Sequence, residues 1–359
     1  LVFLDLSAAF DTIDHEILHR LSSWYGLSAS ALRWFSSYLF HRSQCVKINA
    51  TMSHTQPLNQ GVPQGSVLGP ILFTMYTAPL SKLILGFTYI THHLYADNAQ
   101  IYTSISPQNA ATRLQTLQDC ISDSAVHKWM TENKLKLNPD KTEFLLIGAP
   151  SKRAELANFF PIDHLGSLVS PSDNVKNLGV TFDADFTFSD HVSAICRACF
   201  IKIRTLTRIR RYLTLKTATI LANSLVSSKL DYCNSLLVSV SEKELRRMQL
   251  VQNTLCRVVC RLPWRSHVSW HMRSLHWLPV KSRINFKLGV ITFKTMLYGL
   301  PMYLHENALC LIPVQSIHVV VILTKSCWKV LSINVGCTLL RSYSVDLRTS
   351  PLDFGIIYL

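Results

Sequence analysis

Two acidic residues in strand-like surroundings carry the strongest chemical signal in this sequence. Asp5 follows the apolar residues 1–4, and Asp97 lies within the tetrapeptide Tyr95-Ala96-Asp97-Asn98, between two short segments with strand character. If these strands are neighbours in one sheet, both carboxylates lie at the same edge and could hold two metal ions for phosphoryl transfer. Asn98 stands where that chemistry favours another negative charge.

Two further segments contain residues suited to a nucleotide substrate. Phe10 lies shortly after Asp5 and could pack under an incoming sugar, where a bulky ring would exclude a ribose 2′-hydroxyl. Residues 61–70 form a turn-rich stretch with three glycines, which let the backbone approach a ligand closely. Gln64 within this stretch can both donate and accept hydrogen bonds. By contrast, Asp11 and Asp14 are typical of helix N-terminal carboxylates.

The order of the predicted strands and helices that must position these residues indicates an α+β fold with a mostly antiparallel sheet. Periodicity indicates strands at 1–6, 44–49, 143–147 and 177–182, a hairpin at 95–102, and helices at 16–24, 30–40 and 71–85. A long amphipathic helix is predicted from Pro107. From residue 189 to about residue 298 helical patterns dominate.

Charge divides the chain at the same place. Residues 1–190 carry 13 Lys and Arg against 16 Asp and Glu, a balance of −3, whereas residues 191–300 carry 19 against 3, a balance of +16. Residues 301–359 carry 4 against 3, which completes the formal net charge of +14. We therefore predict a domain boundary near residue 190 and a nucleic acid as the partner of the basic region. Residues 301–359 stay unassigned.

Composition narrows the class of protein. A chain of 359 residues with 48% hydrophobic and 16% charged residues is typical of globular proteins with buried cores. No apolar stretch reaches the ~20 residues of a membrane helix, and neither a membrane protein nor a secreted one is expected. We predict an intracellular protein, nuclear or cytoplasmic, and the strand-like start indicates a fragment. The pairs Cys196/Cys199 and Cys256/Cys260 lie in helical stretches, where we interpret them as core residues in preference to zinc ligands.

The order and spacing of the motifs resemble the reverse transcriptase of non-long-terminal-repeat (LINE-type) retrotransposons. The resemblance rests on residues 5–15, 61–66, 95–98, 133–142 and 177–180, and it continues through Leu230-Asp231-Tyr232-Cys233-Asn234 and residues 275–280. It implies a right-hand polymerase palm at 1–190 without its fingers, followed by an all-helical, thumb-like domain at 191–300. The matches in the helical region disfavour an intron-encoded reverse transcriptase.

The resemblance also implies roles for individual residues. Asp5 and Asp97 would be catalytic ligands of two Mg²⁺ ions, with Mn²⁺ as a substitute, and Asn98 replaces a further aspartate of the family. Lys141 matches a general acid or phosphate contact, although Lys134 and Lys136 nearby also fit a solvated basic face.

The remaining matches concern the substrates. Phe10 corresponds to the sugar-discriminating aromatic, Gln64 and Gly65 to the loop that contacts nucleotide and template, and Leu178 and Gly179 to the primer grip. Basic residues at the start of the helical region would contact the duplex backbone: Lys202, Arg204, Arg208, Arg210 and Arg211.

Two functions stay open at this point. The first is an RNA-directed DNA polymerase, which extends a DNA primer on an RNA template with deoxynucleotide triphosphates and is weakened by Asn98. A missing charge that costs about 4 kcal/mol in the transition state lowers the rate about a thousandfold. The second is a non-catalytic nucleic-acid-binding remnant of the same element. No specific protein partner is implied.

Overall fold

The fold is known from a computed structural model of the chain. The structure describes residues 1–7, 9–15, 22–27, 29–63, 65–122, 125–138, 141–164, 167–302, 304–305, 321–324, 327–330 and 344–345. Contacts divide the chain into two compact units, residues 1–233 with 239–277, and residues 234–238 with 278–359.

Most strands are short and pair with a neighbour in sequence. In chain order they are β1 (Val2–Ser7), β2 (Arg42–Gln44), β3 (Lys47–Ile48), β4 (Thr51–Met52), β5 (Gln56–Leu58), β6 (Thr91–Tyr95), β7 (Asn98–Tyr102), β8 (Lys136–Leu137), β9 (Glu143–Phe144), β10 (Ile162–His164), β11 (Ser167–Val169), β12 (Asn174–Asn177), β13 (Val180–Asp183), β14 (Val321–Thr324), β15 (Cys327–Val330) and β16 (Ser344–Val345).

The α-helices between and after these strands become longer towards the second half of the chain. They are α1 (Ser22–Tyr25), α2 (Ala29–Leu39), α3 (Gly69–Leu85), α4 (Ala110–Ile121), α5 (Val126–Glu132), α6 (Pro150–Leu156), α7 (Ser189–Ile209), α8 (Leu215–Ala222), α9 (Ser228–Asp231), α10 (Glu242–Cys260), α11 (Ser269–Ser274) and α12 (Val280–Tyr298).

A five-stranded antiparallel sheet organises the first unit. Its order is β6-β7-β1-β8, and β9 also pairs with β1. Alternate residues of β1 point to opposite faces, as in any strand. Val2, Leu4 and Leu6 are buried in the main core, which also contains Phe73 of α3 and Leu117 of α4. Asp5 therefore lies on the other face of the sheet.

The predicted α+β fold with antiparallel sheets is confirmed, and several predicted elements match closely. Strand 1–6, the hairpin at 95–102 and the helices at 30–40 and 71–85 correspond to β1, β6 with β7, α2 and α3. The predicted helix at 16–24 is described only from residue 22, since residues 16–21 lie outside the described chain. The helix predicted from Pro107 is divided into α4 and α5.

Other predicted strands differ from those observed. Residues 44–49 do not form one strand, because β2 pairs with β5 and β3 pairs with β4 in separate two-stranded sheets. The strand predicted at 177–182 is two strands, β12 and β13, joined by Leu178 and Gly179. Both of these turn residues have positive φ, +47° for Leu178 and +81° for Gly179, which is the requirement of a type I′ hairpin turn. The strand predicted at 143–147 is limited to Glu143–Phe144.

Strands give way to helices after β13, where we predicted a domain boundary. The Asp183 carboxylate accepts hydrogen bonds from the backbone N–H groups of Thr187 and Phe188, at 2.8 and 2.6 Å, just before α7 begins. Contacts join the strands and the helices as far as residue 277 in one unit. The boundaries at 190 and 300 stay predictions.

The second unit is described in part. It contains α12 and a three-stranded sheet in the order β14-β15-β16. Within the described part of the chain, no helix is both long and apolar enough to span a bilayer.

Candidate active site

Asp5 and Asn98 face each other across two neighbouring strands. Asp5 of β1 is the register partner of Asn98 of β7, so both side chains lie on the face of the sheet opposite the main core. Asp5 is partly exposed, with 21% of its side-chain surface accessible. The backbone N–H of Asn138 donates to the Asp5 carbonyl at 3.0 Å, which joins the segment after β8 to this strand.

Asp97 lies in the two-residue turn between β6 and β7. Tyr95 and Asn98 close this turn as register partners, and Ala96 adopts a left-handed conformation with φ of +50°. The Asn98 amide nitrogen donates to Asp97 Oδ1 at 3.2 Å. The turn thus brings Asp97 beside the strand end that carries Asn98 opposite Asp5.

Lys141 forms an ion pair with the first of these carboxylates. Its Nζ donates to Asp5 Oδ2 at 2.8 Å. The pKa of Lys141 is raised, chiefly by this hydrogen bond and by the charge of Asp5, with a smaller contribution from Asp97. The ammonium therefore stays protonated at neutral pH and acts on both carboxylates.

The donor set can be tested against a divalent cation. Asp5 and Asp97 supply carboxylate oxygens and Asn98 an amide oxygen, which are ligand types that Mg²⁺ accepts. Among the described residues, no group of three or more His, Cys, Asp or Glu side chains could hold a metal ion. The site fits a hard cation by ligand type, but the described residues supply two carboxylates, of which one is paired with Lys141.

Phe10 and the glycine-containing segment lie together. The Phe10 ring packs against Phe73 with 4.9 Å between centroids, and its carbonyl accepts a hydrogen bond from Val62 at 2.8 Å. Gly61 has φ of +84°, and a Cβ there would lie 2.9 Å from the Asp11 carbonyl oxygen. Only glycine allows this close approach of the two segments.

The rest of the glycine-containing segment differs in its surroundings. Gly65 is exposed with φ of +79°, and no atom lies within 4 Å of the position of its Cβ. Gln64 lies outside the described residues. The Ser66 hydroxyl accepts a hydrogen bond from the Gly69 N–H at 3.1 Å and so supports the start of α3.

The predicted primer grip contacts a tyrosine whose role the sequence does not reveal. The Tyr232 hydroxyl donates to the Leu178 carbonyl at 2.6 Å. A Cβ at Gly179 would lie 3.4 Å from the Tyr232 ring. Tyr95, next to the Asp97 turn, also contributes to the raised pKa of Tyr232, after the larger effects of Cys233 and burial. Tyr232 thus supports the β12–β13 turn through both of its turn residues.

Four of the five predicted nucleic-acid contacts are exposed. Lys202, Arg204 and Arg208 lie on the exposed face of α7, and Arg211 follows it. Arg210 differs, because it is buried and its guanidinium donates to the carbonyls of Val259 and Leu213 at 2.6 to 3.0 Å. Its donors hold the helices together, so Arg210 is not available to a phosphate.

Ion pairs also explain charged residues for which the sequence allows two roles. Asp14 is buried and pairs with Lys134, so its carboxylate does more than begin a helix. Lys134 and Lys141 both contact carboxylates of the N-terminal segment, which distinguishes them from a solvated basic face. Helical spacing alone gives no signal for either contact, since each joins residues far apart in the chain.

Both cysteine pairs lie in helices, as the sequence predicts. Cys196, Cys199 and Cys256 are buried in α7 and α10, and Cys260 is half-buried. Burial raises the pKa of Cys199 to about 11 and that of Cys256 to about 12. Burial of Cys196, Cys199 and Cys256 agrees with their interpretation as core residues, whereas Cys260 is only partly buried.

Comparison with known proteins supports the motif-based resemblance. A family model described as "Reverse transcriptase (RNA-dependent DNA polymerase)" matches residues 1–182 of the 359. The chain is 26% identical over 304 residues to "Probable RNA-directed DNA polymerase from transposon BS" of Drosophila melanogaster, covering 79% of this chain and 31% of that protein. It is 26% identical over 271 residues to "RNA-directed DNA polymerase from mobile element jockey" of Drosophila funebris, covering 73% and 28%.

The chain spans about a third of the length of the curated relatives it matches, 31% and 28% for these two. A solved structure of apo telomerase from Candida tropicalis is similar over 84% of this chain and 51% of that chain, at 10% identity and a TM-score of 0.40.

The assignment rests on the sequence family and on the motifs it contains. The matched residues 1–182 include β1 with Asp5, the glycine-containing segment and the turn with Asp97, and all the curated relatives named are polymerases of mobile elements. The chain belongs to the reverse transcriptase family, as the reverse transcriptase domain of a non-long-terminal-repeat (LINE-type) retrotransposon.

Proposed function

We propose that this chain is built for RNA-directed DNA synthesis, in which a DNA primer is extended on an RNA template with deoxynucleotide triphosphates. The observation that carries the proposal is the pairing of Asp5 with Asn98, which places the Asp97 turn beside Asp5 on the face of the sheet opposite the core. The setting we propose is an intracellular ribonucleoprotein.

Asp5 and Asp97 are the proposed ligands of two divalent ions, Mg²⁺ in the first place and Mn²⁺ as a substitute. When bound, such ions supply charge neutralisation and activation of the attacking hydroxyl. Lys141 keeps a positive charge beside Asp5, which suits it to contact the triphosphate or to donate a proton. Phe10, packed on Phe73, offers a fixed ring edge against a 2′-hydroxyl.

The proposed contacts with the nucleic acid lie on two other elements. Leu178 and Gly179 at the β12–β13 turn would hold the primer end, and Gln64 and Gly65 would contact nucleotide and template. The exposed cations Lys202, Arg204, Arg208 and Arg211 would contact duplex phosphates, which gives affinity that depends on salt and little on sequence.

Asn98 limits the activity we expect. An amide oxygen can contact Mg²⁺ but brings no charge, so the two ions and the triphosphate meet one negative charge fewer. Restoring an aspartate is worth about 4 kcal/mol in the transition state, or roughly a thousandfold in rate.

The experiment is primer extension on an RNA template, with Mg²⁺ and with Mn²⁺. The unchanged chain and the Asn98→Asp variant are compared at equal concentration, with Asp5→Asn in the Asn98→Asp background as the inactive control. We expect the aspartate variant to extend primers far faster. Equal rates for the first two chains would show that our interpretation of position 98 is wrong.

A second candidate function is nucleic-acid binding without catalysis, which the Lys141–Asp5 ion pair and the uncharged Asn98 favour. Binding of Mn²⁺ separates the two candidates. A polymerase centre requires that Asp97→Asn weakens Mn²⁺ binding, whereas an unchanged midpoint would favour the non-catalytic function.

A further inference from the structure

A column of three flat groups lies on the surface at the end of α2. The rings of Trp34 and Tyr38 are stacked, with 5.5 Å between centroids and an angle of 6° between planes. The Arg42 guanidinium lies over the Tyr38 ring at 5.2 Å from its centroid. The Tyr38 ring thus contacts both an indole and a cation.

The column is fixed by the backbone that carries it. Trp34 and Tyr38 are one helical turn apart and lie on the same side of α2. Arg42 opens β2, and its Nε donates to the Tyr38 carbonyl at 2.8 Å. This hydrogen bond keeps the Arg42 guanidinium close to the Tyr38 ring.

The outermost group of the column is open to solvent. Trp34 has 53% of its surface exposed, and its neighbour Phe35 touches it edge-on, at 83° between ring planes. An exposed indole already aligned with a second ring offers a flat surface on which one more ring can stack.

The charge of the segment that contains the column indicates the kind of partner. Residues 17–96 contain five Lys and Arg and no Asp or Glu, although residues 1–190 as a whole are slightly acidic. The strands β2 to β5, which begin at Arg42, are almost fully exposed and include Lys47. A segment that carries cations and no carboxylates favours a polyanion as its partner.

We propose that Trp34, Tyr38 and Arg42 form a stacking platform for single-stranded nucleic acid. An unpaired base stacks on Trp34, and the basic, acid-free segment attracts the phosphates on either side. Single-strand binding surfaces combine these two properties, and they tolerate any sequence because every base has a flat face. A duplex cannot use the platform, because its bases are already stacked on one another.

A protein partner would favour a different surface. The exposed apolar side chains Val46 and Ile48 lie in the same hairpin region and could contact a protein. The platform itself, however, holds a cation over one of its two aromatic rings, which suits a π-face and a phosphate better than an apolar side chain. We therefore commit to single-stranded nucleic acid, and a protein partner becomes an outcome of the test.

The test measures binding of the whole chain to a fluorescein-labelled oligouridine and to a blunt RNA–DNA duplex. We expect Trp34→Ala to weaken oligouridine binding roughly tenfold, a typical loss for one base–aromatic stack, and to leave duplex binding unchanged. Trp34→Phe keeps a ring and should retain most of the affinity. Trp270→Ala is the matched control, since Trp270 is 71% exposed and lies in α11.

Arg42→Gln supplies a second measurement that leaves the two rings in place. It should weaken oligouridine binding less than Trp34→Ala and reduce the salt dependence by about one phosphate contact. The proposal is overturned if wild-type chain does not bind oligouridine, or if Trp34→Ala binds it as wild-type does, as a protein-docking surface requires. An equal loss for oligouridine and duplex also overturns it. Because no arm measures catalysis, failure here leaves the proposed polymerase function standing.

Discussion

At the scale of single residues, a balance of charge characterises the proposed active site. Asp5 and Asp97 contribute two negative charges, Lys141 contributes one positive charge at 2.8 Å from Asp5, and Asn98 contributes none. These described side chains therefore sum to a charge of −1 where we propose that two divalent ions bind. Weak metal binding is the expected result, and it is testable without any polymerase assay.

Lys141→Met should make Mn²⁺ bind more tightly, because it removes the cation that competes for Asp5. Titration with Mn²⁺, followed by electron paramagnetic resonance of the free ion, measures the midpoint. Lys152→Met is the control, since Lys152 is as exposed as Lys141, 64% in both, and pairs with Glu155. Identical midpoints for the two variants would contradict this account of Lys141.

At the same scale, the sequence placed Asp5 and the Asp97 turn on neighbouring strands, and β1 pairs with β7 beside that turn. Asp5 lies within β1 and not at its end, so the expected strand end was wrong. The turn at Ala96 and Asp97 was predictable because a tight turn is a local property. The ion pair of Lys141 with Asp5 is not local, since it joins residues that lie 136 positions apart. No periodicity encodes such a contact.

At the scale of elements, close backbone approach fixes the relation between the segment after β1 and the glycine-containing segment. Gly61→Ala should destabilise the fold by more than the roughly 1–3 kcal/mol of a strained left-handed residue, because the new Cβ also meets the Asp11 backbone at 2.9 Å. Urea unfolding measures the change in free energy.

Gly65→Ala is the matched control for Gly61→Ala. Gly65 also has a positive φ, +79°, but the space around its Cβ position is open. Its substitution carries the conformational cost alone. If both variants lose the same stability, then the contact with Asp11 does not matter.

A second element-scale prediction concerns the β12–β13 hairpin. Tyr232→Phe removes only the hydroxyl that donates to the Leu178 carbonyl, so unfolding should become easier by about 1 kcal/mol. Binding of a primer–template duplex should weaken as well, since the turn loses its support. Tyr212→Phe, at a residue that is 72% exposed, is the control. Unchanged stability and unchanged duplex affinity would remove Tyr232 from this role.

This hairpin also shows where element prediction from sequence stops. Apolar alternation across residues 177–182 predicts one strand. Leu178 is also a poor candidate for a left-handed turn position, so the sequence gives little reason to divide that strand. The hydrogen bond from Tyr232, 54 residues away, and its ring packed on Gly179 support the left-handed conformation of Leu178. Tertiary contact overrides local preference at this position.

At the scale of the whole molecule, the basic region divides into cations that face solvent and cations that bind carbonyls. The charge balance of +16 for residues 191–300 predicts nucleic-acid binding but cannot tell these two kinds apart. Arg208 is exposed, whereas Arg210 is buried and Arg261 donates to the Arg210 carbonyl at 3.1 Å.

Arg208→Gln and Arg210→Gln should therefore change different properties, nucleic-acid binding in the first variant and stability in the second. The first should lower the salt dependence of duplex binding by about one phosphate contact and leave stability unchanged. The second should cost about 1.5–3 kcal/mol of stability, because charge-assisted hydrogen bonds to Val259 and Leu213 are lost. Salt titrations of duplex affinity and urea unfolding measure the two effects. Equal stability of both variants would contradict the assigned role of Arg210.

The Tyr232–Leu178 hydrogen bond has a consequence for building chimaeras from related reverse transcriptases. A crossover at residue 190, where strands change to helices, would pair the Leu178 turn of one parent with the helices of another. The Leu178 carbonyl would then have its hydrogen bond only if the second parent carries a hydroxyl at the position of Tyr232. A crossover after residue 277 keeps donor and acceptor from the same parent, and progeny joined there should tolerate sequence exchange far better.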